Sequence, residues 1–317
     1  MNKILITEPE YFPEDAVEML RGIGTVVCKR LGRKQLLNEI KGVDILVVRI
    51  ETLVDKILLK NARKLKIIAS ATTGIDHIDI EEAKKKGIKV ISLSEAHVTP
   101  TAEYTFALIL SVVKKIPWSF ENMKKGRWER YKFFGNELEG KTLGVIGLGR
   151  IGSRVASYAR AFGMNVIAND PYVDAAKAGF GIKLTSLENV LRKSDVIAIH
   201  SILTKETENI ISAKEFAMMK RTAFLINAAR GKIVNEKALL DALRKKMIAG
   251  AAVDVYSTEP VENGNELVKY AKGNNNLLLT PHIAASTGES IRKAAVYIVE
   301  KIKEIIESDW YDAGQHS

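Results

Sequence analysis

The sequence contains a single cysteine, Cys28, among its 317 residues. One thiol cannot form an internal disulfide, and scarce cysteine is typical of a reducing compartment, so we expect a cytoplasmic location. Cys28 falls in a strand-like run at residues 25–29, where we expect a small, buried hydrophobic side chain.

Long apolar runs are also missing. No segment approaches the roughly 18 consecutive apolar residues that predict a membrane-spanning helix. The N-terminal residues 1–7 have the pattern of a β-strand and not of a signal peptide. We therefore expect no association with a membrane.

The chain has no excess of acidic residues, because 48 lysines and arginines outnumber 38 aspartates and glutamates to give a net charge of +10. Such an excess can indicate a nucleic-acid partner. Here the lysines are scattered over polar helix faces such as residues 81–86, and no basic stripe is interleaved with aromatic residues. We expect no nucleic-acid partner, and interpret the charge as solvated surface that attracts small anions.

The chain is long enough for two domains, and its predicted strands and helices alternate. Strand-like and helix-like runs alternate in the first hundred residues, which predicts βαβ units and a parallel sheet. A long helical stretch from Pro100 to about Lys125 follows, and then six strands that match a Rossmann sheet. These strands are residues 142–146, 166–169, 196–200, 223–227, 249–254 and 277–279.

The predicted fold class is therefore α/β, with two domains. A last helix at residues 290–307 is expected to return to the first domain, which makes that domain discontinuous. We predict a flavodoxin-like α/β domain of residues 1–98 and 287–317 and a Rossmann domain of residues 99–286.

The most informative motif is Gly147-x-Gly149-x-x-Gly152, which follows a predicted strand and opens a predicted helix. That order is the context that a dinucleotide-binding motif requires. Gly147 permits the tight turn, Gly149 lets the backbone approach a pyrophosphate, and Gly152 lets the helix pack close to the strand. The helix N-terminus then offers free N–H groups to the phosphates.

An acidic residue about 20 positions further on is needed to bind the ribose hydroxyls. Asp170 ends the second strand at that distance. Its charge would repel a 2′-phosphate, and no arginine follows at 171–173 to receive one. The Rossmann domain is therefore predicted to bind NAD in preference to NADP.

Three ionisable residues follow later strands of the predicted Rossmann sheet, namely Arg230, Glu259 and His282. Because ligands of open α/β sheets lie at the carboxyl ends of the strands, all three could converge over a nicotinamide. A histidine suits proton transfer near neutral pH, and a neighbouring carboxylate favours the charged imidazolium. A guanidinium can hold a carboxylate substrate through paired N–H bonds.

The chain resembles the D-isomer-specific 2-hydroxyacid dehydrogenase family. Five of its segments match the motifs of that family in the right order, and the resemblance extends over about residues 3–307. The segments are residues 73–79, 140–152, 227–236, 252–260 and 280–285.

The resemblance implies roles for residues that match those motifs. His282 would be the general acid and base, Glu259 its acidic partner and Arg230 the substrate-binding arginine. The turn of Thr73, Gly74 and Ile75 would hold the substrate carboxylate, and the first domain would bind substrate. The expected NAD-binding residues are Gly147, Gly149, Arg150, Ile151, Gly152, Asp170, Ser201, Ala228, Ala229, Arg230, Asp254, His282 and Ala284; no metal site is expected.

The substrate is a 2-hydroxy or 2-keto acid by this resemblance, but two classes remain open. Arg49 stands where phosphoglycerate dehydrogenases carry a substrate-binding arginine, which favours 3-phosphoglycerate. Glu51 would repel a phosphate, and the segment around His97 is closer to glyoxylate and hydroxypyruvate reductases. Glyoxylate/hydroxypyruvate reductase is therefore the alternative.

Further expectations come from the family. A homodimer is expected, with aromatic residues between Trp118 and Phe134 supplying contacts. The chain ends soon after its last predicted helix, so we expect no regulatory amino-acid-binding domain. An alternative of another class is an NAD-sensing corepressor-like scaffold, which turnover of hydroxypyruvate would exclude.

Overall fold

The computed structural model describes residues 1–93, 95–174, 179 and 181–314. The chain forms two compact units, one of Met1–His97 with Ser286–Ser317 and one of Val98–Ala285. Within the described part of the chain, no helix is long and apolar enough to cross a membrane.

The first unit is built on five strands, β1 (Asn2–Ile6), β2 (Gly24–Cys28), β3 (Ile45–Val48), β4 (Ile67–Ser70) and β5 (Lys89–Ile91). They form a parallel sheet in the order β2-β1-β3-β4-β5, which is the strand order of flavodoxin-like folds. The connecting helices are α1 (Glu14–Arg21), α2 (Arg33–Glu39), α3 (Lys56–Asn61) and α4 (Ile80–Lys85), and a C-terminal helix (Gly288–Gly314) completes the unit.

Both faces of this sheet are buried, because successive side chains of a strand point to opposite faces. Ile4 and Ile6 of β1 lie in one cluster with residues of α1 and with Ile298 and Ile302 of the C-terminal helix. Leu5 lies in the other cluster with residues of α2 and α3. Burial of each such aliphatic side chain stabilises the folded state by roughly 1.5–3 kcal/mol relative to leaving it exposed.

The described residues of the second unit form seven parallel strands. They are β6 (Thr142–Ile146), β7 (Asn165–Asn169), β8 (Ile182–Leu184), β9 (Val196–Ile199), β10 (Phe224–Asn227), β11 (Gly250–Val253) and β12 (Leu277–Leu279). Their order, β12-β11-β10-β9-β6-β7-β8, is that of a Rossmann sheet with one further strand. The predicted α/β class is confirmed.

Helices cover both faces of this sheet. Helices α5 (Val98–Val113) and α7 (Arg150–Ala161) share one apolar cluster with β6, and α8 (Leu187–Lys193), α9 (Ala213–Met218), α10 (Glu236–Arg244) and α11 (Glu266–Ala271) share the other. The strands are therefore apolar on both sides, as parallel strands usually are.

The predicted long helix from Pro100 to about Lys125 is in fact two helices, α5 and α6 (Ile116–Lys124). Lys115 between them has φ 59°, in the left-handed region. Pro117 has no N–H to donate to the carbonyl of Val113, and its ring would clash there in a continuous helix. The Val113 carbonyl instead accepts a hydrogen bond from the amide of Asn136 at 3.1 Å.

Two other sequence predictions were wrong. The Rossmann sheet has a seventh strand, β8, which the sequence pattern missed because Lys183 at its centre interrupts the apolar run, whereas the equally short edge strand β12 is entirely leucine. Cys28 is exposed and not buried. It is the last residue of β2, which among the described strands pairs only with β1 and therefore lies at the edge of the sheet.

Candidate active site

The predicted site residues of the second unit follow the carboxyl ends of its parallel strands. The glycine motif follows β6, Asp170 follows β7, and Ser201 lies two residues beyond β9. The strand order reverses direction between β6 and β9, and ligands of open α/β sheets bind at such a switch point. The topology therefore brings these residues to one edge of one sheet.

Packing explains two of the three glycines of the motif. Gly147 has φ 91°, and a Cβ there would lie 2.5 Å from the amide nitrogen of Ser201. A Cβ at Gly152 would lie 2.1 Å from the carbonyl oxygen of Gly147. At Gly149, in contrast, no atom lies within 4 Å of a Cβ position, so there is open space beside the N-terminus of α7. Arg150 and Ile151 form the first turn of that helix.

The carboxylate of Asp170 is held against the glycine turn. Its Oδ2 accepts a hydrogen bond from the amide of Leu148 at 2.8 Å, and its Oδ1 accepts one from the amide of Tyr172 at 2.9 Å. The Oγ of Ser201 is buried and forms no hydrogen bond to any residue that the structure describes. An open glycine turn, an acidic residue beside it and an unpaired hydroxyl fit a dinucleotide.

Glu259 and His282 form the predicted pair, the Glu259–His282 dyad. The Nδ1 atom of His282 lies 2.6 Å from Oε2 of Glu259, and Oε1 of Glu259 accepts a hydrogen bond from the Tyr256 amide at 2.8 Å. Burial by itself raises the pKa of Glu259. The hydrogen bond and charge of His282, the Tyr256 amide and the charge of Arg230 together outweigh burial and leave this pKa below its ordinary value. Glu259 is therefore ionised at neutral pH.

The loop that carries His282 is fixed by Asp254. His282 has φ 53°, a conformation that is uncommon outside glycine. The fully buried carboxylate of Asp254 accepts hydrogen bonds from the loop at 2.6–3.1 Å, and the Asp254 carbonyl accepts one from the His282 amide at 2.8 Å. The carboxylate's donors are the Thr280 hydroxyl and the amides of Ile283 and Ala284.

This role of Asp254 was not foreseen from the sequence, which assigned the residue to the cofactor; that assignment remains a prediction. The hydroxyl of Tyr256 also donates to the Thr280 carbonyl at 2.8 Å, which the sequence analysis missed. A signal was present, since Asp254 and Tyr256 follow β11 directly at the carboxyl edge of the sheet.

Arg230 follows β10 with Ala228 and Ala229. Its Nη1 donates to the carbonyl of Ala229 at 2.7 Å, and its own carbonyl accepts a hydrogen bond from the Asn227 side chain at 3.0 Å. The effect of its charge on Glu259 places the guanidinium within electrostatic reach of the dyad. The structure thus brings Arg230, Glu259 and His282 together at one end of the second sheet.

The predicted substrate-binding residues of the first unit lie at the carboxyl edge of its own sheet. Arg49 follows β3, and the turn of Thr73, Gly74 and Ile75 follows the neighbouring strand β4. The Thr72 hydroxyl donates to the Gly74 carbonyl at 2.8 Å and so supports the turn. Arg49 is buried, with its guanidinium carbon 4.1 Å from the centre of the Tyr11 ring.

Glu8 was also missed from the sequence, although it comes directly after the short turn that ends β1. Its buried carboxylate accepts hydrogen bonds from the amides of Arg49, Glu51 and Thr52 at 3.0–3.3 Å. Glu8 therefore shapes the loop that carries Arg49. His97, whose role the sequence left open, is buried.

Comparison with known proteins agrees with this geometry. Residues 106–284 match the family model described as the NAD-binding domain of D-isomer specific 2-hydroxyacid dehydrogenases. The chain is 41% identical over 312 residues to a D-3-phosphoglycerate dehydrogenase of Methanocaldococcus jannaschii, covering 98% of this chain and 58% of the relative. It is 42% identical over 303 residues to the enzyme of the same name from Archaeoglobus fulgidus, covering 95% of this chain and 56% of that relative.

A solved structure is similar over nearly its whole length. A D-lactate dehydrogenase from Aquifex aeolicus, complexed with NAD and lactic acid, is 32% identical with a TM-score of 0.88. The match covers 98% of this chain and 97% of that one. The chain spans little more than half the length of the curated relatives named above. It belongs to the D-isomer specific 2-hydroxyacid dehydrogenase family, and its second unit contains the NAD-binding domain of that family.

Proposed function

We propose that this protein is an NAD-dependent dehydrogenase that interconverts D-3-phosphoglycerate and 3-phosphohydroxypyruvate. The observation that carries the proposal is the contact of 2.6 Å between His282 and Glu259, with the charge of Arg230 beside it. The family supports an oxidoreductase with NAD as its cofactor, and relatives at 41–42% identity carry the name D-3-phosphoglycerate dehydrogenase.

The dyad suits proton transfer at one defined atom. Because Nδ1 of His282 faces an ionised carboxylate, Nδ1 carries a proton and Nε2 is left to exchange one with substrate. In the reducing direction Nε2 donates its proton to the carbonyl oxygen of the 2-keto acid. In the oxidising direction Nε2 removes the hydroxyl proton, and Glu259 stabilises the resulting imidazolium. Bound NAD(H) would supply or accept the hydride.

The remaining predicted residues would bind the cofactor and substrate. Gly147, Gly149, Gly152 and Asp170 would hold the dinucleotide, with Ser201 along it. Arg230 would bind the substrate carboxylate and polarise the carbonyl through its N–H groups. The amides of residues 73–75 would bind the same carboxylate, and Arg49 would bind the phosphate. Each of these roles is part of the proposal.

Glyoxylate/hydroxypyruvate reductase is the second candidate. The observation that favours it is the carboxylate of Glu51, which lies in the same loop as Arg49 and acts electrostatically on it. An acidic side chain near a phosphate site opposes a phosphorylated substrate. We favour phosphoglycerate because two relatives of that name match nearly all of this chain.

A panel of 2-keto acids tests the proposal. Oxidation of NADH should be measured with 3-phosphohydroxypyruvate, hydroxypyruvate, glyoxylate and pyruvate, for the wild type and for Arg49→Ala. We expect 3-phosphohydroxypyruvate to give the highest kcat/KM. We expect Arg49→Ala to lower that value by about tenfold or more, since a charge-assisted hydrogen bond contributes roughly 1.5–3 kcal/mol. Glyoxylate, which has no phosphate, is the internal control and should retain most of its rate.

A wild type that turns over glyoxylate but ignores 3-phosphohydroxypyruvate would refute the phosphoglycerate assignment and support the alternative. Equal losses on both substrates in Arg49→Ala would show that Arg49 serves the shared carboxylate.

We also propose that the protein is a cytoplasmic homodimer. The single cysteine, which is exposed, supports a reducing compartment. Exposed aromatic side chains between residues 116 and 134 support the dimer, because clustered exposed apolar surface usually marks an interface.

A further inference from the structure

Arg49 is a buried cation that forms no ion pair with any acidic residue that the structure describes. Only 8% of the residue is exposed, and its Nε forms no hydrogen bond to any described residue. The nearby carboxylate of Glu8 is occupied by three backbone amides. Burial lowers the pKa of Arg49, and the electrostatic effects of Tyr11, Glu8 and Glu51 only partly offset this lowering. A buried guanidinium of this kind is stabilised when an anion binds to it.

Glu51 is the acidic residue that could compete for Arg49. It lies two residues further along the same loop, and its charge already acts on the guanidinium. If its carboxylate paired with Arg49, it would block an incoming anion. If it stayed nearby unpaired, it would repel a phosphate, which carries about −1.5 to −2 charge at pH 7.

In the structure Glu51 neither pairs with Arg49 nor stays unpaired, because it forms an ion pair with Arg30. Nη1 of Arg30 forms an ion pair with Oε2 of Glu51. The same guanidinium donates from Nε and Nη2 to both oxygens of Glu10, at 3.0 Å each. This paired contact fixes the orientation of Arg30, because two parallel bonds define the plane of the guanidinium. The hydrogen bond from Arg30 also lowers the pKa of Glu10.

We propose that Arg30 is a specificity-determining residue, because its ion pair with Glu51 keeps that carboxylate away from Arg49 and from the phosphate of the substrate. The inference rests on the proposed function, in which Arg49 binds that phosphate. It assigns Arg30 no contact with substrate: Arg30 acts on specificity through Glu51. It also explains how an enzyme for a phosphorylated substrate can carry an acidic side chain so close to its phosphate site.

The test is a double-mutant cycle of Arg30→Ala, Glu51→Gln and the combined variant. KM and kcat should be measured with 3-phosphohydroxypyruvate and with glyoxylate. We expect Arg30→Ala to raise KM for 3-phosphohydroxypyruvate about three- to tenfold with kcat nearly unchanged, the size that one exposed charge at short range can produce. KM for glyoxylate should change less than about twofold, because a smaller, singly charged anion is repelled less.

The combined variant distinguishes this mechanism from direct attraction of substrate by Arg30. Once residue 51 is neutral, loss of Arg30 no longer frees a carboxylate at that position, so KM for 3-phosphohydroxypyruvate should return to within about twofold of the wild type. The matched control is Arg21→Ala, which removes an exposed arginine that also bridges two glutamates, Glu14 and Glu18. This control should leave both KM values unchanged, and thermal unfolding should show that every variant is folded.

Three results would overturn the inference in an enzyme that accepts 3-phosphohydroxypyruvate. They are an unchanged KM in Arg30→Ala, a combined variant as impaired as Arg30→Ala, and an equal effect of Arg21→Ala. A wild type that does not reduce 3-phosphohydroxypyruvate would refute the proposed function as well, which separates the two failures.

Discussion

At the scale of single residues, the chemistry depends on which nitrogen of His282 faces a carboxylate. Glu259 lies against Nδ1. Burial raises the pKa of Glu259, but its hydrogen bonds and the nearby positive charges lower this pKa by more, so that it stays below the ordinary value. The other histidine near this edge, His200, has a pKa lowered to about 4 by burial and is therefore neutral between pH 5 and 9. His200 is therefore not a competing proton donor in that range.

Glu259→Gln should lower the rate. The Glu259 carboxylate holds Nδ1 of His282 and stabilises the imidazolium that forms when Nε2 removes the hydroxyl proton, and a neutral amide does this less well. We expect kcat/KM for oxidation to fall by about tenfold or more, since a charge-assisted hydrogen bond contributes roughly 1.5–3 kcal/mol. The measurement is kcat/KM at one fixed pH, with NAD(H) affinity as a check that should barely change.

The exposed residue Glu262 offers a matched control, because Glu262→Gln makes the same chemical change three residues away. The control should keep the wild-type kcat/KM. If Glu259→Gln also keeps full activity, Glu259 has no part in proton transfer.

At the scale of elements, two loops at the carboxyl edge of the second sheet are joined to each other. The turn after β11 carries Glu259, and the loop after β12 carries His282. Hydrogen bonds of Tyr256 and Asp254 connect the turn after β11 to the loop after β12. Gly231, after β10, packs against the turn after β11, because a Cβ on Gly231 would lie 1.9 Å from the Tyr256 carbonyl carbon. The dyad geometry is therefore set by three neighbouring strands.

Asp254→Asn should destabilise this arrangement even without cofactor. An amide nitrogen in place of one carboxylate oxygen would face backbone N–H donors of the loop, so a buried polar group would lose its partner. We expect a loss of about 2–4 kcal/mol in the free energy of unfolding, the range for a broken buried network with a charged acceptor. Thermal or denaturant unfolding without added NAD measures this loss apart from any cofactor contact.

The exposed pair of Glu188 and Arg192 on α8 provides a comparison. Glu188→Gln removes the same charge from an exposed i,i+4 contact and should cost no more than about 0.5 kcal/mol. Equal stability of Asp254→Asn and the wild type would show that the hydrogen bonds to the loop are not stabilising.

At the scale of the whole molecule, one segment of the second unit carries several exposed aromatic side chains. Within residues 116–134, the exposed fraction is 75% for Trp128, 64% for Tyr131 and 77% for Phe134. Helix α6, in the same segment, buries none of its residues. Such a segment is expected to pack against a second copy of the chain.

Light scattering at micromolar concentration should therefore give twice the mass of one chain. The double substitution Trp128→Ser with Phe134→Ser should shift the protein toward the monomer, because it removes two large aromatic contacts. Tyr172→Ser is the control, since Tyr172 is 88% exposed but lies outside the segment. A monomeric wild type would contradict the homodimer, while leaving the dyad chemistry unaffected.

The sequence by itself determined the features that depend on local pattern. The apolar periodicity predicted both parallel sheets, and the spacing of Gly147, Gly149, Gly152 and Asp170 predicted the dinucleotide site, because strand, turn and helix follow one another along the chain. The motifs around Arg230, Glu259 and His282 also identified the family. These residues are close in sequence to the strand ends that position them.

Only the tertiary structure decided which contacts connect those strand ends. Three sets of hydrogen bonds join residues that are 20 or more positions apart. They run from the 280–284 loop to Asp254, from Arg30 to Glu10, and from the loop of Arg49 to Glu8. The strand β8 has a lysine at its centre and so lacks an apolar run, and the exposure of Cys28 follows from the place of β2 at a sheet edge. Such features depend on which strands are neighbours, because strand order, and not local pattern, determines what each side chain meets.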